Sequence, residues 1–133
     1  MTFSILGYCD KTDMQGVAIT TSSISVGSRC PWVRAGVGAV TSQNITDPRI
    51  GNEVLDLLEQ GVGVSDAIDK VMRQRPYAEY RQVAAIDSSG NASHFTGSEI
   101  LGNHSVAKGY HCVAAGNLLS NTAVPLAMVK EYE

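Results

Sequence analysis

Residues 47–61 read Asp47-Pro48-Arg49-Ile50-Gly51-Asn52-Glu53-Val54-Leu55-Asp56-Leu57-Leu58-Glu59-Gln60-Gly61, and their period decides the class of fold. Asp47 suits an N-cap and Pro48 the first helical position, where a missing N–H costs nothing. Ile50, Val54, Leu57 and Leu58, with their neighbour Leu55, recur at helical spacing and stop at Gly61. A second helix follows at once. Ser65 is its expected cap, Asp66 and Asp69 suit the positive end of the dipole, and Ala67, Ile68, Val71 and Met72 form its apolar face before Arg73, Arg75 and Pro76 close it. So short a connection makes the two helices antiparallel neighbours. Each is apolar on one side only, so the pair is expected to cover one face of a sheet.

The flanking segments supply the strands of that sheet. Thr2 to Tyr8 and Gln15 to Ser22 read as a hairpin joined by the polar turn Asp10-Lys11-Thr12-Asp13. A small-residue stretch, Ser22 to Ser28, leads through Arg29 to Arg34 into an extended pattern over Ala35 to Thr41. After Pro76, Gln82 to Ile86 and Ala92 to Thr96 read as a second hairpin around Asp87-Ser88-Ser89-Gly90-Asn91. Gly109 to Ala115 is expected to be one further strand, ending at Gly116-Asn117. Asn121 is expected to cap a last helix, with Pro125 in its opening turn. Strands, two helices, strands and a helix describe an α/β layered domain of the α+β type with a mostly antiparallel sheet, not the strict alternation of a Rossmann fold.

With 133 residues and no linker-like tract, a single domain over 1–133 is expected. A formal net charge of −3 with scattered basic residues argues against nucleic acid as a partner. No apolar run approaches the roughly 20 residues needed to cross a bilayer, and no signal peptide opens the chain, so a cytoplasmic location without membrane partners is expected. Cys9, Cys30 and Cys112 are odd in number and far apart, which fits free thiols. His94, His104, His111 and Cys112 show no zinc-ligand spacing, and no phosphate loop or dinucleotide fingerprint is present; neither a metal nor another cofactor is expected.

Thr2 stands directly behind the initiator methionine. Removal of Met1 would place a hydroxyl and a free α-amine on one residue, and such an amine is a recognised base for activating a threonine hydroxyl. Its reference pKa of about 7.7 to 8.0 leaves roughly a tenth to a fifth of it neutral at pH 7. Threonine also suits a strand, so this pair by itself leaves both readings open.

Several motifs together resemble a known group. They are Thr2-Phe3-Ser4-Ile5, Val26-Gly27, Pro31-Trp32-Val33-Arg34-Ala35-Gly36-Val37-Gly38-Ala39-Val40, the Leu55-Asp56-Leu57-Leu58 core of the helix, Arg81-Gln82-Val83, Phe95-Thr96-Gly97 and Gly116-Asn117-Leu118-Leu119. The whole chain resembles an uncharacterised bacterial and archaeal domain-of-unknown-function family placed in the Ntn-hydrolase superfamily. The resemblance implies an αββα sandwich of mostly antiparallel sheets and kinship with N-terminal-nucleophile amidohydrolases. It implies a chemistry class without naming a substrate.

Carried onto these residues, the resemblance implies Thr2 as nucleophile and its freed amine as general base, acting on a small amide or related C–N bond. Asn117, beside Gly116, is the leading oxyanion donor, against the alternative that it caps a turn. Arg34 is the next catalytic candidate, to keep the amine neutral or orient a carboxylate; a structural ion pair is the alternative. Arg81 has the same two readings. Ser22 and Ser23, with Gly116, are candidate substrate-binding residues, and a turn is the plainer role for both serines. Family members run on beyond the point matching Tyr132-Glu133, so a fragment is expected here, with a second copy or a partner chain completing the sheet. A small-metabolite-binding module and an assembly subunit are the competing functions.

Overall fold

The computed structural model describes residues 1–133. Eight strands and three α-helices follow in the order β1 (Thr2–Cys9), β2 (Met14–Thr21), β3 (Pro31–Arg34), β4 (Gly38–Asn44), α1 (Arg49–Glu59), α2 (Val64–Arg73), β5 (Arg81–Asp87), β6 (Ala92–Thr96), β7 (Ser105–Gly109), β8 (Cys112–Asn117) and α3 (Val124–Tyr132). The protein is a mixed α+β structure with two four-stranded sheets, ordered β2-β1-β8-β7 and β3-β4-β5-β6. Every strand pairing is antiparallel.

Strand alternation sorts the side chains into three apolar layers. Val40, Val83 and Ala85 turn outward from the second sheet and meet Ile50, Val54, Leu55, Ala67, Ile68, Val71 and Met72 of α1 and α2. Leu6, Ala39, Ala84, Ile86, Val113 and Ala115 fill the space between the sheets. Cys112 and Ala114 face Val129 of α3, with Ile5 and Ala107 at the margin. A helix pair, two sheets and a single helix are thus stacked in sequence. No helix is long and apolar enough to cross a membrane.

The start of α1 fits its sequence signal. The Arg49 N–H donates to Asp47 Oδ1 at 3.1 Å and the Ile50 N–H to the Asp47 carbonyl at 3.1 Å, so Asp47 caps the helix although the regular span begins two residues later. The same carboxylate accepts from Arg49 and Arg75, and the Arg49 hydrogen bond above all lowers its pKa to about 2. Gly61, at φ +86°, ends the helix in the left-handed region that favours glycine.

Three expectations are corrected. Ser65 does not cap α2: the helix already begins at Val64 on Gly63, whose carbonyl accepts the Ala67 N–H at 2.9 Å, because Val64 itself is buried in the core and draws the first turn inward. Ala35 to Thr41 is not one extended run. Pro31–Arg34 is itself a strand, and Gly36 at φ +72° turns the chain while the Val37 N–H donates to the Arg34 carbonyl at 3.0 Å. Gly109 to Ala115 is not one strand either: Gly109 pairs with Cys112 across a two-residue turn, Tyr110-His111, in which His111 takes φ +54°. The stacked Tyr110 and His111 rings, 3.8 Å between centroids, sit at that turn.

Candidate active site

Thr2 is the first residue of β1, a central strand, and is held from both sides. It faces Thr21 of β2 and Asn117 of β8 in register. Directly paired residues on antiparallel strands carry their side chains on one face, about 4.5–5.5 Å apart at Cβ. Counting by twos from Leu6, which lies between the sheets, puts Ser4 and Thr2 on that same inner face. Thr2, Thr21 and Asn117 therefore meet at one end of the space between the sheets.

The hydroxyl geometry there is directional. Thr21 Oγ1 donates to the Met1 carbonyl at 3.1 Å and accepts the Ser23 N–H at 3.2 Å. A threonine hydroxyl has one proton, so in the 2.9 Å contact between Thr2 Oγ1 and Thr21 Oγ1 the donor is Thr2. The Met1 carbonyl also accepts the Ser22 N–H at 3.1 Å, and the Met1 ammonium donates to Ser22 Oγ at 3.2 Å. With Met1 attached, the Thr2 nitrogen is a peptide amide without basicity.

Behind these residues a neutral polar network occupies that end of the sheet interface. Ser4 Oγ donates to Gln43 Oε1 at 2.8 Å, and Gln43 Nε2 donates to Gln82 Oε1 at 2.8 Å. Asn117 Nδ2 donates to the same Gln82 oxygen at 3.2 Å, while Gln82 Nε2 donates to the Gly116 carbonyl at 3.2 Å. The Thr41 hydroxyl, on the same face of β4 as Gln43, is buried without a partner.

Among the residues singled out from sequence, the structure brings together Thr2, Asn117, Gly116, Ser22 and Ser23. Arg34 and Arg81 stay apart. Arg34 pairs with Gly38, at the end of β4 opposite Gln43, about 17 Å along the strand at ~3.4 Å per residue. Its guanidinium grips Asp56 at 2.8 Å and Glu59 at 3.0 Å on α1, and Asp56 above all holds it further toward the charged form. Buried Arg81 donates to the carbonyls of Ile45, at 2.6 Å, and Pro76, at 3.1 Å, tying two loops together. Thr21, Ser4, Gln43 and Gln82 were not singled out from sequence. The available signal was polar residues recurring within otherwise apolar strands, and that pattern equally describes a strand facing solvent. The principal surface clefts lie elsewhere, one of about 460 Å³ against α1 and α2 and others beside α3. No group of three His, Cys, Asp or Glu side chains is arranged to hold a metal ion.

A family model described as a family of unknown function, DUF1028, matches residues 2–133. The chain belongs to the DUF1028 family. A solved crystal structure of a DUF1028 protein from Silicibacter pomeroyi shares 35% sequence identity with it and superposes with a TM-score of 0.93, over 97% of this chain and 57% of that one. The chain thus spans a little over half the length of this DUF1028 relative. No curated protein matches.

Proposed function

We propose that this DUF1028 domain is an N-terminal-nucleophile amidohydrolase acting on a small amide or related C–N bond, built on the αββα sandwich of the Ntn-hydrolase superfamily. The observation that carries the reading is the placement of Thr2: it heads a central strand, its hydroxyl points into the end of the sheet interface, and Asn117 is its register partner. The stacking of helix pair, two sheets and helix is the frame such a site uses.

Loss of Met1 exposes the Thr2 amine and at the same time removes the carbonyl that occupies the Thr21 proton. The neutral fraction of the amine takes the Thr2 hydroxyl proton, directly or through one water, as Oγ1 attacks the amide carbonyl. Asn117 Nδ2 spends one proton on Gln82 and has a second for the oxyanion. The proton held by the amine then passes to the leaving nitrogen as the C–N bond breaks. Water hydrolyses the remaining threonyl ester. The neutral, small-residue surroundings of Ser22, Ser23 and Gly116 suit a small polar substrate, and the scheme requires no metal, cofactor, nucleic acid or membrane. The expected location is the cytoplasm.

The test joins N-terminal mass spectrometry of natively expressed protein to a screen of small amides, ureas and acylated amino acids. The expected mature chain begins at Thr2, and Thr2→Ala should lower turnover at least 1,000-fold, on the scale of losing a group that acts as a unit with its base, without unfolding the protein. Full activity in that variant, or a mature chain that keeps Met1 or carries an acetyl cap, would sink the proposal.

Two other readings each have an observation in their favour. The buried, neutral amides gathered at the Thr2 end of the sheet interface also suit a non-catalytic small-metabolite-binding module. Retained Met1 together with ligand-dependent thermal stabilisation would select that reading. Strand β2 is a sheet edge whose eight residues carry no charge, which suits an assembly subunit or homo-oligomer. A monomer by sedimentation at micromolar concentration would reject it.

A further inference from the structure

The space between the sheets is hydrocarbon at its centre and an amide relay at the Thr2 end. Ser4, Gln43, Gln82 and Asn117 are each no more than 2% exposed. Their orientations are fixed by one another. Gln82 Oε1 accepts from both Gln43 Nε2 and Asn117 Nδ2, and its Nε2 donates to the Gly116 carbonyl. Turning the Gln82 amide over would set its nitrogen against two nitrogens and its oxygen against a carbonyl, losing all three bonds at once. Turning Asn117 over would set its oxygen against Gln82 Oε1. Ser4 in turn holds Gln43. Apolar side chains would fill the same volume without the need to satisfy these polar groups, so what the relay adds is orientation.

We propose that Gln82, backed by Gln43 and Ser4, is a positioning residue that sets which way the Asn117 amide faces at Thr2. The relay acts through Asn117 and touches no reacting atom. This rests on the reading of Thr2 as nucleophile and Asn117 as oxyanion donor.

The test uses protein processed to begin at Thr2, labelled with ¹⁵N and exposed to a small β-lactone as an acylating probe of the Thr2 hydroxyl, with product read by mass. In Gln82→Leu the two side-chain amide proton resonances of Asn117 should move toward each other, and the maximal acylation rate should fall roughly 10- to 100-fold at unchanged half-saturating probe concentration. Gln82→Glu, held protonated by full burial, keeps an oxygen for both donors and a proton for the Gly116 carbonyl, and should restore the resonances and most of the rate. Adding Gln82→Leu to Asn117→Ala should cost nothing further, the signature of a residue that acts only through another. Ser4→Ala, a smaller change at the far end of the relay, should show the same effects in weaker form and serves if Gln82→Leu fails to fold. Unmoved Asn117 resonances, or additive losses in the double variant, would overturn the proposal. If the wild-type protein is not acylated at all, the nucleophile reading fails while the resonances still decide the orientation of Asn117.

Discussion

The Thr2 hydroxyl proton points at Thr21, because Thr21 has committed its own proton to the Met1 carbonyl. Once Met1 is gone the Thr21 proton is free, and Thr21 can donate toward Thr2 or its amine. Thr21→Val should therefore slow Thr2 acylation about 10-fold while changing stability by no more than about 1 kcal/mol, since one partly exposed hydrogen-bonding hydroxyl is lost; kinetics and urea unfolding on one preparation check both. Asp47 gives a pH prediction. Its folded pKa of about 2 lies below its ordinary 3.8, so its stabilising contribution is present above pH 4 and is lost as pH falls from 4 toward 2. Asp47→Asn should flatten the pH dependence of the unfolding free energy over that window, and an unchanged slope would contradict it. Thiol chemistry separates the cysteines: a bond from Thr12 above all lowers the Cys9 pKa, while burial raises those of Cys30 and Cys112. A thiol reagent at pH 8 should label Cys9 first, and the other two only on unfolding.

Among the elements, α1 shows local signals and packing in agreement and in conflict. Its cap, apolar stripe and glycine stop were all legible, because each acts within a few residues of chain. Gly51, in contrast, is a poor helix former in the first turn of the helix, and only packing explains it: a Cβ there would fall on the Trp32 indole of β3. Gly→Ala at an open helix site stabilises by up to about 1 kcal/mol, whereas overpacking against a ring costs about 1–3 kcal/mol. Gly51→Ala should accordingly destabilise the protein, read as a lower urea midpoint; a higher midpoint would show that Trp32 yields. The β7–β8 hairpin was illegible for a related reason. Tyr110-His111 lacks the Asn-Gly or Asp-Gly chemistry of two-residue turns, and the left-handed His111 is sustained by contacts distant in sequence, with Tyr8 and Gly90 packed against its ring.

For the molecule as a whole, stability rests on three apolar layers, and Leu6 lies at the middle of the one between the sheets, fully buried. Leu6→Ala should cost about 3 kcal/mol, because the two sheets cannot close over the cavity independently; chemical denaturation measures it, and a loss below about 1 kcal/mol would mean that the interface is loosely packed. The sequence by itself determined the elements with strong local periods, the antiparallel pairing within the two hairpins and the candidacy of Thr2, since these depend on the chemistry of nearby residues, while the candidacy of Asn117 came with the family resemblance. Tertiary structure alone decided that Thr2 meets Asn117, residues 115 positions apart, across the β1–β8 ladder. It also decided that Arg34 and Arg81 serve helix and loop contacts rather than Thr2, and that Ser4, Gln43 and Gln82 form one buried relay. The physical reason is that alternation tells a strand which residues share a face, while only the stacking of the second sheet decides whether that face meets water, hydrocarbon or another amide.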